Sequence, residues 1–213
     1  MKTDDLIKLL ATGTGAVEPH AAARRYAIAL GWGASGAAAL MAILLGVRPD
    51  LADAARLPMF WVKIAFVACL AAASVPAALR LSRPGARLAW VPGALALPVL
   101  VMWILAAAAL ITAQPAQRAE LFFGETWASC PINVAMLSAP VFIAVLWAMK
   151  GLAPTRLSLA GSAAGLVSGA TGALVYTLHC PELAAPFLGF WYLIGMLIPT
   201  AVGALLGPRL LRW

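Results

Sequence analysis

Long apolar stretches dominate the chain, and short polar stretches separate them. Six uninterrupted apolar runs occur, at residues 26–46, 60–79, 90–112, 131–149, 158–178 and 187–207. At 1.5 Å per residue, runs of about 19 to 23 residues form helices roughly 28 to 35 Å long, which matches the apolar thickness of a bilayer. None alternates with period two as barrel strands do, and backbone groups in lipid need internal hydrogen bonds. The pattern therefore predicts an all-α integral membrane protein with six transmembrane helices.

The composition supports membrane embedding and leaves little sequence for a second, soluble domain. Of the 213 residues, 63% are hydrophobic and 11% are charged, whereas a soluble domain has about 25% charged residues. We therefore expect a short N-terminal segment, residues 1–25, followed by one six-helix transmembrane domain, residues 26–213. The net charge of +7 is spread between the apolar runs without a basic cluster. Membrane lipid is thus an expected partner, and direct binding of nucleic acid is not expected.

The distribution of Lys and Arg predicts the orientation of the helices. Most of these residues lie in residues 1–25, in the 80–89 and 150–157 loops, and after residue 207. Basic residues favour the cytoplasmic side of a membrane protein, so both termini are expected to be cytoplasmic. The loops that carry Cys130 and Cys180 then lie on the opposite face, which is the periplasmic face in a bacterial inner membrane.

The N-terminal segment is the longest polar stretch, and it predicts a short amphipathic helix. Asp4 and Asp5 fall in its first turn, where carboxylates favour the helix N-terminus. The apolar stripe that follows consists of Leu6, Ile7, Leu9 and Leu10. A helix of about nine residues is marginally stable alone in water, so we expect it to bind a protein or lipid surface.

Small residues in the fifth run predict close packing of two helices. Gly161, Gly165 and Gly169 repeat every four residues and therefore share one helix face. Glycine at this spacing lets a neighbouring helix approach closely.

Few residues inside the runs carry charge or reactive chemistry. Cys69 lies in the middle of the second run, where we expect a small apolar filler. Lys63 lies one turn from the outer face, where its side chain is expected to snorkel to the interface. Acidic residues are absent from the runs, which argues against a proton-coupled transporter.

Two Cys-Pro pairs are the main candidates for chemistry. Cys130 precedes Pro131, which suits the first position of a helix, so Cys130 is expected to cap the fourth helix. A thiol at a helix N-terminus is activated, whereas Cys180 follows the end of the fifth helix. We therefore expect Cys130 to be the more nucleophilic thiol and Cys180 the resolving one.

The sequence leaves open what the two thiols do together. They form a structural disulfide, a redox-responsive or metal-responsive pair, or two unrelated thiols, and the absence of CxxC disfavours a thioredoxin-type site. A signalling metal ion at Cys130 and Cys180, with His179 adjacent, is a further possibility because thiolates suit soft ions. No other cofactor is expected.

Three motifs give the chain a resemblance to the NrsF family, which comprises bacterial inner-membrane anti-sigma factors. They are residues 2–10, Trp127-Ala-Ser-Cys130-Pro131 and His179-Cys180-Pro181. The resemblance implies a regulator, not an enzyme, that binds an extracytoplasmic-function sigma factor. It also implies that Cys130 and Cys180 take part in signalling heavy-metal or oxidant stress. On this hypothesis the sigma factor binds the N-terminal segment, with its two aspartates and its apolar stripe.

Two other classes compete with this interpretation. A quinone-linked thiol oxidoreductase of the membrane would exchange disulfides and bind a quinone. A small metal permease would use Cys and Met side chains as ligands. Physical arguments from the residues alone do not rank these alternatives against a regulator.

Overall fold

The computed structural model describes residues 3–12 and 20–212, and all regular secondary structure in these ranges is helical. Six helices are long and apolar enough to cross a membrane, which confirms the all-helical, six-span prediction for the described residues. They are α2 (Ala21–Leu44), α4 (Pro58–Leu81), α5 (Val91–Thr112), α7 (Cys130–Lys150), α8 (Leu157–Tyr176) and α9 (Ala185–Leu210). The shorter helices are α1 (Thr3–Ala11), α3 (Leu51–Ala54) and α6 (Pro115–Phe123).

Proline marks the start of several helices. Pro58 and Pro115 are the first residues of α4 and α6, and Pro131 is the second residue of α7. Proline suits these positions because the first turn of a helix leaves its N–H groups without intrahelical partners. The last span, α9, contains a π-helical turn at Leu188–Tyr192 that the apolar pattern does not reveal. This turn carries Tyr192, which belongs to the candidate site described below.

Helix α8 forms the centre of the bundle, and α5 lies at its edge. Most of α8 is buried, and it packs against α4, α7 and α9. Helix α5 packs mainly on α4 and on the start of α9. Its outer side chains Leu97, Ile104 and Ile111 are 63%, 67% and 77% exposed. Such a surface suits lipid rather than water, as the apolar composition of the span requires.

Helices α8 and α9 approach each other so closely that only glycine fits between them. A Cβ atom on Gly161 would overlap the carbonyl oxygen of Gly203, and one on Gly165 would overlap the carbonyl oxygen of Pro199. At Gly169 it would lie 2.8 Å from the carbonyl oxygen of Met196. The face formed by these three glycines is therefore the contact surface between α8 and α9.

The ends of the spans form two groups at opposite ends of the bundle. At one end, the hydroxyls of Tyr26 and Ser82 share a hydrogen bond of 2.7 Å, and Arg25 donates to the carbonyl of Trp147 at 3.0 Å. We call this the basic end, because most Lys and Arg residues flank the spans here. At the other end, the segments 45–57, 113–129 and 177–184 meet. We call it the thiol end.

Candidate functional site

Cys130 and Cys180 lie together at the thiol end. Cys130 is the first residue of α7, and Cys180 lies in the segment that joins α8 to α9. Both side chains are fully buried and both thiols are free. The two side chains belong to one buried cluster, in which each thiol influences the other. The fold therefore brings together two thiols that are fifty residues apart in sequence.

Lys63 lies beside this pair and is fully buried. Its ammonium group donates to the carbonyl oxygens of Cys180 at 2.8 Å and Glu182 at 3.0 Å. It also lies 5.1 Å from the centre of the Tyr192 ring, a distance at which a cation and an aromatic face attract each other. The prediction that Lys63 snorkels to the interface is wrong, because these inward acceptors satisfy the ammonium group inside the bundle.

A second cation, Arg48, holds the same stretch of backbone. Its Nη1 donates to the carbonyl oxygen of Cys180 at 3.2 Å, and its own backbone N–H donates to Leu178 at 3.0 Å. The guanidinium also binds both carboxylate oxygens of Asp50, at 2.8 and 2.6 Å. Hydrogen bonding to Arg48 holds the pKa of Asp50 below its ordinary value. Arg48 therefore has a carboxylate as its counter-ion.

Two tyrosines complete the buried surroundings of the thiols. The hydroxyl of Tyr192 is fully buried and has no hydrogen-bond partner among the described residues. Tyr176 accepts a hydrogen bond of 3.4 Å from Asn133, and its ring lies 5.8 Å from that of Tyr192. Both rings belong to the same buried cluster as Cys130 and Cys180.

His179 points away from this pair. Its Nδ1 lies 2.9 Å from the carbonyl oxygen of Gly46, so this nitrogen carries the proton. Its ring also lies 5.6 Å from the ring of Tyr176. The imidazole therefore ties the 177–184 segment to the end of α2, and the structure gives it no contact with either sulfur.

Glu182 ties the same segment to the turn before α7. Its Oε1 accepts hydrogen bonds from the backbone N–H groups of Glu125, at 2.8 Å, and Thr126, at 3.2 Å, and from the Thr126 hydroxyl at 3.3 Å. Pro181, Glu182 and Gly124 also line an open cleft of about 450 Å³ at this end of the bundle. The cleft reaches the residue that follows Cys180.

Contact with the Cys130 thiol and the positive charge of Lys63 lower the pKa of the Cys180 thiol. Helix α7 begins at Cys130, one residue earlier than the sequence predicts, so its N-cap is Ser129 and not Cys130. The cation beside Cys180 was not predicted, and the order of nucleophilicity of the two thiols stays a prediction.

Cys69 does not belong to the buried thiol pair. It is exposed on α4, in an apolar groove of about 570 Å³ between α4 and α5. The small apolar residue that the sequence predicts therefore faces this groove and not the core.

A metal ion at the thiol pair would find few ligands. No group of three or more His, Cys, Asp or Glu side chains within residues 3–12 and 20–212 is arranged to hold one. Cys130 and Cys180 offer two sulfurs, and two cations, Lys63 and Arg48, lie next to Cys180. These residues do not fit a resident divalent ion, and the possible signalling role of a metal remains a prediction.

The second candidate surface is α1, whose side chains face solvent. Leu6, Ile7 and Leu9 are 41%, 58% and 70% exposed, and Asp4 and Asp5 are exposed as well. The side chain of Leu10 lies outside the described residues. Helix α1 thus presents a short apolar stripe, with both aspartates in its first turn.

Reasoning from the sequence identified the two thiols but not the groups that surround them. Lys63, Arg48, Tyr192 and Glu182 were not among the predicted site residues. One signal was present, since a charged residue inside a span is rare and is commonly functional. The partners of that charge lie in segments far apart in sequence, so only the fold reveals them.

Comparison with known proteins gives a consistent result along the whole chain. The family model for "Negative regulator of sigma F" matches residues 10–213. The chain is 66% identical over 213 residues to the "Probable anti-sigma-F factor NrsF" of Azospira oryzae, and all of both chains is covered. It is 42% identical over 221 residues to the "Anti-sigma-F factor NrsF" of Caulobacter vibrioides, again over the full length of both. No solved structure matches significantly. The chain therefore belongs to the NrsF family of negative regulators of sigma F.

Proposed function

We propose that this protein is a membrane-embedded anti-sigma factor that holds a sigma factor of the extracytoplasmic-function class at the bacterial inner membrane. Two relatives that match over their full length bear the name of anti-sigma-F factors, so a regulatory role is favoured over an enzyme or a permease. The observation that carries the assignment is the exposed apolar stripe of α1 at Leu6, Ile7 and Leu9. A stripe of this kind needs a partner surface, and a groove on the sigma factor provides one.

The orientation of the bundle follows from its basic end. Lys and Arg residues flank the spans mainly at this end, which favours the cytoplasm. Helix α1 precedes α2, which starts at the same end, so α1 is cytoplasmic and accessible to a soluble sigma factor. The thiol end is then periplasmic, where an oxidant or a thiol-seeking metal ion reaches Cys130 and Cys180.

Release of the sigma factor follows from a change at the thiol pair. Cys180 lies four residues after the end of α8, and α8 packs along α9 through the glycine contacts. A new covalent bond or ligand at Cys180 changes the segment that joins these two helices. Because close packing does not deform gradually, α8 and α9 move as rigid elements. Their movement changes the arrangement of the helix ends at the basic end, where the sigma factor is held.

The binding role of α1 is tested by removing its apolar stripe. Substituting Leu6→Asp and Leu9→Asp should abolish co-purification of the sigma factor and switch on sigma-dependent transcription constitutively. The matched control is Lys8→Gln, which changes an exposed charge of the same helix and should leave repression intact. A reporter gene under a sigma-dependent promoter provides the measurement. Normal repression by the Leu6→Asp/Leu9→Asp protein would contradict the assignment.

A further inference from the structure

The ammonium group of Lys63 is buried without a carboxylate partner among the described residues. Two carbonyl oxygens accept its hydrogen bonds, but a carbonyl does not cancel a full charge. A buried cation without a counter-ion is strongly unfavourable in surroundings of low polarity. The site must therefore supply a negative charge near Lys63 or leave this lysine neutral.

The neighbouring carboxylates form hydrogen bonds with other groups and not with Lys63. Asp50 accepts two hydrogen bonds from Arg48 and forms an ion pair with it. The carboxylate of Glu182 is directed at the backbone of Glu125 and Thr126. Among the groups near Lys63 that can carry a negative charge, Cys180 is the one whose backbone oxygen accepts hydrogen bonds from both Lys63 and Arg48, so its thiol is the best placed.

The surroundings of Cys180 suit a thiolate. The Cys130 side chain lies in the same buried cluster, and both neighbouring cations, Lys63 and Arg48, donate to the carbonyl oxygen of Cys180. The charged and titratable groups that influence it are Cys130, Lys63, Tyr192, Glu182, Arg48 and Tyr176. Of these, the cations are close to Cys180, while Glu182 turns its carboxylate away. The charge balance of the buried site therefore favours a negative sulfur at Cys180.

We propose that Lys63 is a positioning residue that holds Cys180 as the nucleophilic thiolate, so that a peroxide oxidises Cys180 first and Cys130 then closes a disulfide with it. This inference rests on the proposed function, in which the thiol pair receives the signal. It narrows that signal to an oxidant of the peroxide class. It also assigns opposite roles to the thiols from those that the sequence predicts.

The chemistry balances with the peroxide as the oxidant. The Cys180 thiolate attacks one peroxide oxygen, an S–O bond forms and the O–O bond breaks. The leaving alkoxide, or hydroxide from hydrogen peroxide, takes a proton from water. The sulfur of Cys130 then attacks the sulfenic sulfur, an S–S bond forms, and the hydroxyl leaves as water with the thiol proton. Two electrons pass from the two sulfurs to the peroxide oxygens.

The cleft of about 450 Å³ at the thiol end provides a route for a small peroxide. Pro181 lies in its wall and is bonded to Cys180. The sulfurs themselves are fully covered, so the reaction needs a local opening of the 177–184 segment. This requirement favours small oxidants over larger disulfide reagents.

The pH dependence of alkylation tests the role of Lys63. Purified protein with Cys69→Ser and Cys130→Ser retains only Cys180. The serine at position 130 keeps a hydroxyl in the place of the Cys130 thiol. The rate of Cys180 with iodoacetamide should change less than about two-fold between pH 6 and 8, because the thiolate already predominates. Adding Lys63→Met should make the rate rise roughly ten-fold per pH unit, as for an ordinary thiol. A profile that Lys63→Met leaves unchanged would overturn the proposal.

Two further variants guard against misfolding as the explanation. Lys150→Met removes an exposed lysine at the basic end and should keep the flat profile. Lys63→Gln keeps a donor for the carbonyl oxygens of Cys180 and Glu182 and removes only the charge, so it should show the steep profile even if Lys63→Met does not fold. A flat profile in the Lys63→Gln protein would show that the thiolate does not depend on the charge of Lys63, which contradicts the proposal.

The order of oxidation is tested with hydrogen peroxide and dimedone, which traps sulfenic acids. The protein that retains only Cys180 should form at least ten-fold more adduct than the protein that retains only Cys130. More adduct at Cys130 would overturn the assignment. Both experiments use purified protein without a sigma factor. Failure of the α1 experiment therefore does not affect them, and their failure leaves the sigma-binding assignment standing.

Discussion

At the scale of single residues, Glu182 and Gly124 show how the thiol end is held in place. Gly124 has a φ of +55°, a conformation that side chains larger than hydrogen rarely adopt. A Cβ atom on it would also lie 2.6 Å from the carboxylate of Glu182. The glycine therefore permits the hydrogen bonds that Glu182 forms with the next two residues. These bonds join the segment that carries Cys180 to the turn that precedes Cys130.

Substituting Gly124→Ala should destabilise the thiol end. Strained backbone and the clash with Glu182 together should cost about 1–3 kcal/mol and lower the melting temperature in detergent. The control is Gly93→Ala, because Gly93 lies in α5 with open space around its Cα and should tolerate a methyl group. Equal melting temperatures for the two variants would contradict this account of the turn.

Site residues with unusual chemistry, such as the cysteines, were predictable from the sequence. Site residues whose role depends on the contacts they make in the fold were not. Two Cys-Pro pairs on one predicted membrane face were visible because the topology places them there. The sequence shows Lys63 as a charge inside a span, but the prediction of where its side chain points was wrong. Snorkelling was expected because the interface is only one turn away, whereas the carbonyls of Cys180 and Glu182 lie closer and are contributed by the fold.

At the scale of helices, the contact between α8 and α9 is the tightest described in the bundle. Backbone atoms of the two helices meet at the glycine positions, which leaves no room for a side chain. Contacts of this kind resist gradual sliding. In the proposed function, this pair is therefore the element that carries a change at Cys180 to the basic end.

Adding one methyl group at this contact should be enough to disturb it. Gly165→Ala places a Cβ against the carbonyl of Pro199, and the helices must separate to accept it. We expect a loss of about 1–3 kcal/mol, typical of overpacking, and weaker repression by the intact protein. Gly31→Ala is the matched control, because nothing lies within 4 Å of its added methyl group. Melting temperatures and reporter activity of the two variants provide the comparison.

The number and approximate positions of the spans were predictable because lipid imposes a length and a composition on each helix. The π-helical turn at Leu188–Tyr192 was not, since it produces no change in hydropathy. That turn carries Tyr192, whose ring lies 5.1 Å from the ammonium group of Lys63. A few backbone hydrogen bonds therefore shape the surroundings of Lys63, and no apolar periodicity encodes them.

At the scale of the whole molecule, the two ends of the bundle differ in charge and in chemistry. The basic end carries most Lys and Arg residues, and the thiol end carries the buried pair and the acidic cleft lined by Glu120, Glu125 and Glu182. This asymmetry suits a protein that receives a signal on one side of a membrane and acts on the other. It also makes the orientation directly testable.

Single cysteines placed at the two ends should report opposite accessibility. In a Cys69→Ser/Cys130→Ser/Cys180→Ser background, Gln117→Cys at the thiol end should react with a membrane-impermeant maleimide in spheroplasts. Arg87→Cys at the basic end should react only after the membrane is disrupted. Both positions are exposed, so burial does not explain a difference between them. Labelling of Arg87→Cys in intact spheroplasts would refute the proposed orientation.

The way in which the 177–184 segment is anchored also has a consequence for biogenesis. Its contacts come from α2 through Gly46, from α4 through Lys63, and from the turn before α7 through Glu125 and Thr126. All of these partners are synthesised before Cys180, so the site closes only when the last two spans dock. Until then, in the proposed orientation, Cys130 is open to the periplasm. The proposal therefore implies that slow insertion of the last two spans leaves newly made protein exposed to premature oxidation at Cys130.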